Sequence, residues 1–169
     1  TTPGWYDATK VTDRFVAGDF NGDGKDDIGW MYDYGQENMS IEVVMTSNGT
    51  SFSKSRWYDH TTPGCYDATR VTGRFVAGDF TGDGKDDIGW MYDYGQVNMA
   101  IEIVTSNGSS FTKSMWYDHR TPGWYNTSAV TNKFVAGDFN GDGKDDMAAL
   151  YVSSSSGIDL QYHVWLSHG

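Results

Sequence analysis

The residues best suited to chemistry are aspartates in a nonapeptide that the chain repeats: DFNGDGKDD from Asp19, DFTGDGKDD from Asp79 and DFNGDGKDD from Asp138. Oxygen donors recur at alternate positions. The first loop offers Asp19, Asn21, Asp23, the carbonyl of Lys25, and Asp27. The second offers Asp79, Thr81, Asp83, Lys85 and Asp87, and the third Asp138, Asn140, Asp142, Lys144 and Asp146. Hard cations such as calcium take six to eight oxygens at about 2.3–2.6 Å, and a tight loop turning alternate residues inward supplies them. Thr81 is the one departure, a hydroxyl where the other loops have an amide. Four carboxylates within one short loop repel each other strongly without a cation. The expectation is one Ca²⁺ per loop, about three per chain, taking the formal charge of −11 to about −5.

The loops begin as an EF-hand does, but the twelfth position holds Trp30, Trp90 or Ala149 in place of the bidentate Glu. Their flanks also read as strands. The repeats start at Phe15, Phe75 and Phe134, intervals of 60 and 59 residues, and this period organises the chain. We divide the single domain, 1–169, into units of approximately 1–60, 61–119 and 120–169. Each unit reads as four short strands, in the first unit RFVAGDF, DDIGWMYDY, MSIEVVMTS and SFSKSRWYDH. The second alternates, with Ile28, Trp30, Tyr32 and Tyr34 on one face and Gly29, Met31 and Asp33 on the other. TSNGTSF and TSNGSSF carry the Asn-Gly hairpin signal. No segment has helical periodicity.

Four antiparallel strands at a fixed period predict an all-β fold of β-propeller blades, three per chain, the last lacking its fourth strand. Propellers have about four to eight blades. Closure of a ring therefore calls for a homo-oligomer, most simply a dimer, with a longer array or a three-fold monomer as the alternatives.

Composition narrows the function. The three loops hold 12 of the 23 acidic residues, and the remainder is near neutral, so the acid reads as local cation binding. No Lys/Arg cluster is available for phosphates, which argues against nucleic acid. Cys65 is the only cysteine, so no intramolecular disulfide forms. No apolar run of about 18 residues occurs to span a membrane. The chain opens at Thr1 with no secretory signal, as a mature or excised product would.

The FVAGDFNGDGKDD core present in all three units resembles the FG-GAP/VCBS repeats, the calcium-loop blades of integrin-type propellers and many secreted proteins. The flanking MYDYG and VWLS segments are similar to repeats of propeller lectins and of modules appended to secreted hydrolases. The resemblance implies calcium at positions 1, 3, 5, 7 and 9 of each loop and a secreted, extracellular protein. It does not select among adhesion modules, lectins and passive appendages.

Strand direction adds an inference of its own. The calcium loops and TSNG hairpins fall at one end, and the YDYGQEN turns and WYDHTTPG connections at the other. One groove would gather Tyr34, Gln36, Asn38, Asp59, His60 and Tyr66; the next Tyr94, Gln96, Asn98, Asp118, His119, Trp124 and Tyr125. Trp5 and Tyr6 occupy the equivalent connection before the first blade, where Cys65 replaces the Trp in the second. Aromatic floors with a few planar polar groups suit a pyranose ring, which has an apolar C–H face and rim hydroxyls. Trp30, Trp57, Trp90 and Trp116 are expected in the inter-blade core. The reading is a calcium-stabilised, multivalent carbohydrate-binding protein. The alternative is a non-catalytic adhesion or spacer module of a larger secreted protein. Catalysis is not expected: the aspartates are repeated and assigned to metal, and neither G-x-S-x-G nor H-E-x-x-H occurs. N-x-[ST] sequons stand at Asn38, Asn48, Asn107 and Asn126. VSSSSG is expected to be a loop.

Overall fold

The computed structural model describes residues 7–11, 13–35, 38–46 (backbone alone over 42–46), 51–60, 66–71, 73–119, 125–130, 132–152 and 159–167. Trp5, Tyr6, Gln36, Cys65, Trp124, the first TSNG hairpin and VSSSSG lie outside the described residues.

The fold is all-β. Strands β1 (Phe15–Gly18), β2 (Asp27–Gly35), β3 (Asn38–Thr46) and β4 (Phe52–His60) pair in chain order as one antiparallel sheet. β5 (Phe75–Gly78), β6 (Asp87–Gly95), β7 (Asn98–Ser106) and β8 (Phe111–His119) repeat it. β9 (Phe134–Gly137), β10 (Asp146–Val152) and β11 (Leu160–Trp165) form a third sheet of three strands. The first strand of each blade stops at Gly18, Gly78 or Gly137, earlier than the apolar run suggests. It stops there because the following Asp side chain takes up the loop's own N–H groups.

Short 3₁₀ turns precede each blade at Ala8–Lys10, Ala68–Val71 and Thr127–Val130, where no helix was expected. Their signal is local. Asp7, Asp67 and Asn126 each accept the N–H two residues on, from Thr9, Thr69 and Ser128, at 2.9, 3.0 and 3.1 Å. These are side-chain caps of the kind Asp and Asn supply at turns.

Blades bury their faces against each other. Phe20, Ile41, Trp57, Tyr66, Ile88, Trp90 and Phe111 form part of one core between the first and second blades. Phe80, Met91, Ile101, Tyr125 and Met147 belong to a second core between the second and third. Trp57 and Trp90 are buried as expected, whereas Trp30 and Trp116 are half-buried. The alternation in β2 survives as exposed Ile28 and buried Met31. The same sequence in β6 buries Ile88, Trp90, Met91 and Tyr92 together, because the second blade has a neighbour on each face. Close approach depends on missing side chains. A Cβ on Gly89 would sit 2.0 Å from the Met147 methyl, and one on Gly29 would sit 2.9 Å from Ile88 Cδ1.

Replacing Ile101, fully buried in the second core, with Ala should cost about 2–5 kcal/mol by urea unfolding. Met115→Ala on the exposed outer strand should change stability by no more than about 0.5 kcal/mol. Equal effects would contradict this placement of the core.

Candidate functional site

Two kinds of site are set by the repeat: the Asp/Gly loop of each blade and the groove between blades. In the second loop Asp79 accepts the N–H groups of Gly82 and Asp83 on Oδ1 at 2.7 and 3.1 Å, and that of Gly84 on Oδ2 at 2.8 Å. Asp19 does the same at 2.8, 3.0 and 2.7 Å, and Asp138 at 2.6, 3.2 and 3.0 Å. Three converging N–H groups hold the Asp138 carboxyl below its ordinary pKa, that of Gly143 most strongly. Gly24, Gly84 and Gly143 make this wrap possible with φ of 82°, 82° and 84°. Lys25 and Lys85 each turn both backbone N–H and ammonium onto the fifth-position Asp, Nζ lying 3.0 Å from Asp23 and 2.8 Å from Asp83.

The ninth-position aspartates are buried. Asp87 Oδ1 accepts the Ser106 N–H at 2.7 Å, while Oδ2 is buried with no hydrogen-bond partner. Burial, reinforced by the charges of Asp83 and Asp79, pushes its carboxyl up to about 7. Asp146 Oδ1 takes the Ser167 N–H at 2.7 Å, and its Oδ2 takes the Phe139 N–H at 3.2 Å. Asp27 Oδ2 accepts Asn21 Nδ2 at 3.2 Å, and in the third loop Asn140 Nδ2 bonds Asp142 instead at 3.1 Å. Thr81 Oγ1 faces Asp79 at 3.4 Å. Among the described residues no three carboxylate or imidazole groups converge as a ligand set. The donor chemistry nevertheless fits a hard cation. Asp79, Asp83 and the orphaned oxygen of Asp87 are acceptor-only groups, with Thr81 and the Lys85 carbonyl available beside them.

The eighth position does something the alternating pattern does not reveal. Asp86 accepts the N–H of Asp19 in the preceding blade at 2.8 Å and returns its own N–H to the Asp19 carbonyl at 2.9 Å. Asp145 makes the same pair with Asp79, at 3.1 and 2.8 Å. This carboxylate joins blades.

Between the first two blades the groove is filled, among the described residues, by packed side chains. Glu102, buried in β7, accepts Tyr66 Oη at 2.7 Å and Trp90 Nε1 at 3.0 Å on one oxygen. The other takes Lys113 Nζ at 2.9 Å and Tyr94 Oη at 3.4 Å. Lys113 also lies 5.1 Å from the centre of the Tyr66 ring. A buried carboxylate with a cation and three neutral donors is well satisfied. Burial, with Lys113 nearby, holds His60 below its usual pKa, and Tyr58 Oη lies 3.2 Å from its Nδ1.

Between the second and third blades the groove is open. Ala149 stands where the second blade has Trp90, and His163 where it has Glu102, as the strand registers show. A cavity of about 340 Å³ lies here, lined by Met99, Tyr117, His119, Tyr125, Tyr162, His163, Val164 and Trp165. The Trp165 ring, 6.1 Å from both Phe134 and Tyr125, has the aromatic neighbours that Trp90 has in the second blade. His163 Nδ1 meets Tyr125 Oη at 3.0 Å, and burial holds this imidazole below its usual pKa, hence neutral. Tyr117 and Trp165 lie 6.5 Å apart, centre to centre.

The expected ligand set therefore divides. Tyr125 and His119 line the open cavity, but Tyr125 is buried within its wall. Tyr66 and His60 lie in the filled groove and Tyr94 at its edge, with Tyr66 in the core and not on a loop surface. Tyr34 and Asp59 form a separate exposed cluster around Arg56, which bonds both and lies 5.2 Å from the Tyr34 ring centre. Gln96 is exposed in a turn of positive φ, and Asp118 is exposed at the end of β8. Asn38 and Asn98 sit at the β2–β3 and β6–β7 turns, with Oδ1 buried and without a hydrogen-bond partner. Tyr117, His163 and Trp165 were missed. The signal was present in aligning QYHVW of the third unit with AIEIV of the second, which sets His163 on Glu102 and Trp165 on Val104.

A family profile described as FG-GAP-like repeat matches residues 79–149. Residues 79–149 are thus similar to an FG-GAP-like repeat. The matched FG-GAP-like span runs from the first residue of the second loop through the third loop to Ala149, and so takes in the join between two blades. No curated protein matches the chain.

Two outcomes follow for these blades. Glu102→Ala strands Lys113 and three other donors, and should cost about 3–5 kcal/mol of stability, measured by denaturant unfolding. Asp87 titrates above its ordinary 3.8 in the fold, so its contribution favours the folded state at low pH and is lost as pH rises through about 7. In chelator, the stability of the wild type relative to Asp87→Asn should fall across that window. A pH-independent difference would count against the burial argument.

Proposed function

We propose that this chain is a calcium-stabilised, non-catalytic carbohydrate-binding protein working outside the cell. The observation that carries the reading is the aromatic cavity between the second and third blades. Its volume of about 340 Å³ lies at the lower end of the small-molecule range. Tyr117 and Trp165 offer ring faces to an apolar C–H surface, and His119, neutral His163 and the Tyr125 hydroxyl offer donors and acceptors. Neutral groups suit uncharged hydroxyls. Sites repeated across copies gain strength through avidity, so a weak groove serves a glycan-coated surface.

Calcium acts at a distance from the sugar in this proposal. Each loop would hold the cation through its first, third, fifth and ninth residues and the seventh carbonyl, offsetting the buried charge of Asp27, Asp87 and Asp146. Loops that bind weakly are loaded in extracellular calcium. A second reading, a non-catalytic adhesion or spacer module, draws on the first groove, where Trp90 and Glu102 are buried in packed contacts.

A glycan array separates the two. Calcium-loaded wild type should bind a defined set of glycans, with Tyr117→Ala reducing apparent affinity about tenfold or more. Absence of binding to every glycan favours the adhesion module. Calcium at about 100 times its Kd should stabilise the fold by about 2.7 kcal/mol relative to chelator. An unchanged melting temperature would remove calcium from the account.

A further inference from the structure

We infer that the two outer faces of this three-blade chain are complementary, and that a second copy docks head to tail on each. The evidence is internal, since the chain makes the same joint twice. At each joint the following blade gives a carboxylate and an N–H to the backbone of the preceding loop: Asp86 to Asp19, and Asp145 to Asp79. A second link joins the turns before the inner strands. Gly73 N–H meets the Asp13 carbonyl at 3.3 Å, and Asn132 N–H meets the Gly73 carbonyl at 2.8 Å. Gly18 and Gly78 exist to admit the incoming carboxylate, whose nearest oxygen would lie 2.6 Å from a Cβ at either position.

Both halves of a third joint are present and unused. On the first blade Asp26, the counterpart of Asp86 and Asp145, is exposed. On the third blade Gly137 retains the glycine, and only the Phe139 ring comes near a Cβ placed there. The apolar parts follow the same rule. Phe20 and Phe80 are 0% and 3% exposed beneath the next blade, while Phe139 is 51% exposed. Ile88 and Met147 are 0% exposed against the preceding blade, while Ile28 is 45% exposed. The open face of the third blade also carries an apolar recess of about 380 Å³, lined by Val135, Ala148, Leu150 and Tyr162 among others. Ala148 replaces the glycine of the other blades there, and the rotatable Cδ1 of Ile28 can adapt to that extra methyl.

A contact between different faces either closes or propagates. Two copies bring six blades, within the range of closed propellers, so the inferred species is a closed dimer. The joint lies on the inner strands and loops, away from the outer edge where the third sheet has only β11. This inference is independent of what the groove binds.

Light scattering of the purified chain tests it. The expected mass is twice 18.8 kDa. Gly137→Val and Asp26→Lys should each give 18.8 kDa with an unchanged circular dichroism spectrum, and Ser114→Lys on the outer strand should stay dimeric. Asp26→Lys alters an exposed side chain, so it decides the matter even if Gly137→Val fails to fold. Mixing the two variants leaves one intact joint and should partly restore the dimer. A monomeric wild type, a ladder of longer species, or a dimer insensitive to Asp26→Lys would overturn the inference.

Discussion

Every feature of this chain depends on one constraint: a four-stranded blade has two apolar faces and cannot bury both by itself. The next blade must do so, and it must arrive in register. Asp86 and Asp145 enforce that register with paired bonds to the preceding loop, and glycines at 18 and 78 leave room for them. Once the inner strands are fixed, the outer strands fall beside each other and enclose a groove. The loop that shapes a candidate cation site is thus the same loop that aligns the blades. Loss of order in the loop would pass directly to the groove.

The two grooves show how a repeat diversifies while its scaffold stays constant. The first holds Trp90 and a carboxylate with four donors around it; the second has Ala149 and His163 at those positions, and brings an indole to the joint from Trp165 instead. The exchange is coupled. The exchange at 149 takes away one donor to the carboxylate, and at 163 an imidazole meets the Tyr125 hydroxyl where the carboxylate met Tyr66. The buried charge and its indole donor are lost together, and the second joint is repacked around Trp165 without leaving a carboxylate short of partners.

Much of the fold was legible because its signals are local and repeated. The 60- and 59-residue spacing, the alternation in β2 and β6, and the Asn-Gly turn near Gly108 all lie on the surface of the sequence. Relations between blades were less legible. Asp26, Asp86 and Asp145 look like spare acid beside a metal loop, and only the packed structure gives the latter two their bonds to the preceding blade. Tyr66 and Tyr125 follow Gly/Pro-rich stretches and look exposed in the sequence, but both rings are buried. The groove residues His163 and Trp165 come from a strand whose sequence diverges from its counterparts, so repetition did not mark them.

The central claim is that the cavity between the second and third blades holds a saccharide. A crystal structure of the calcium-loaded protein with the strongest array ligand tests it most directly. The account predicts a sugar ring against Tyr117 or Trp165, with a hydroxyl bonded to His119 or His163, and metal in the Asp/Gly loops. A saccharide bound elsewhere, or an empty cavity at saturating sugar, would contradict it.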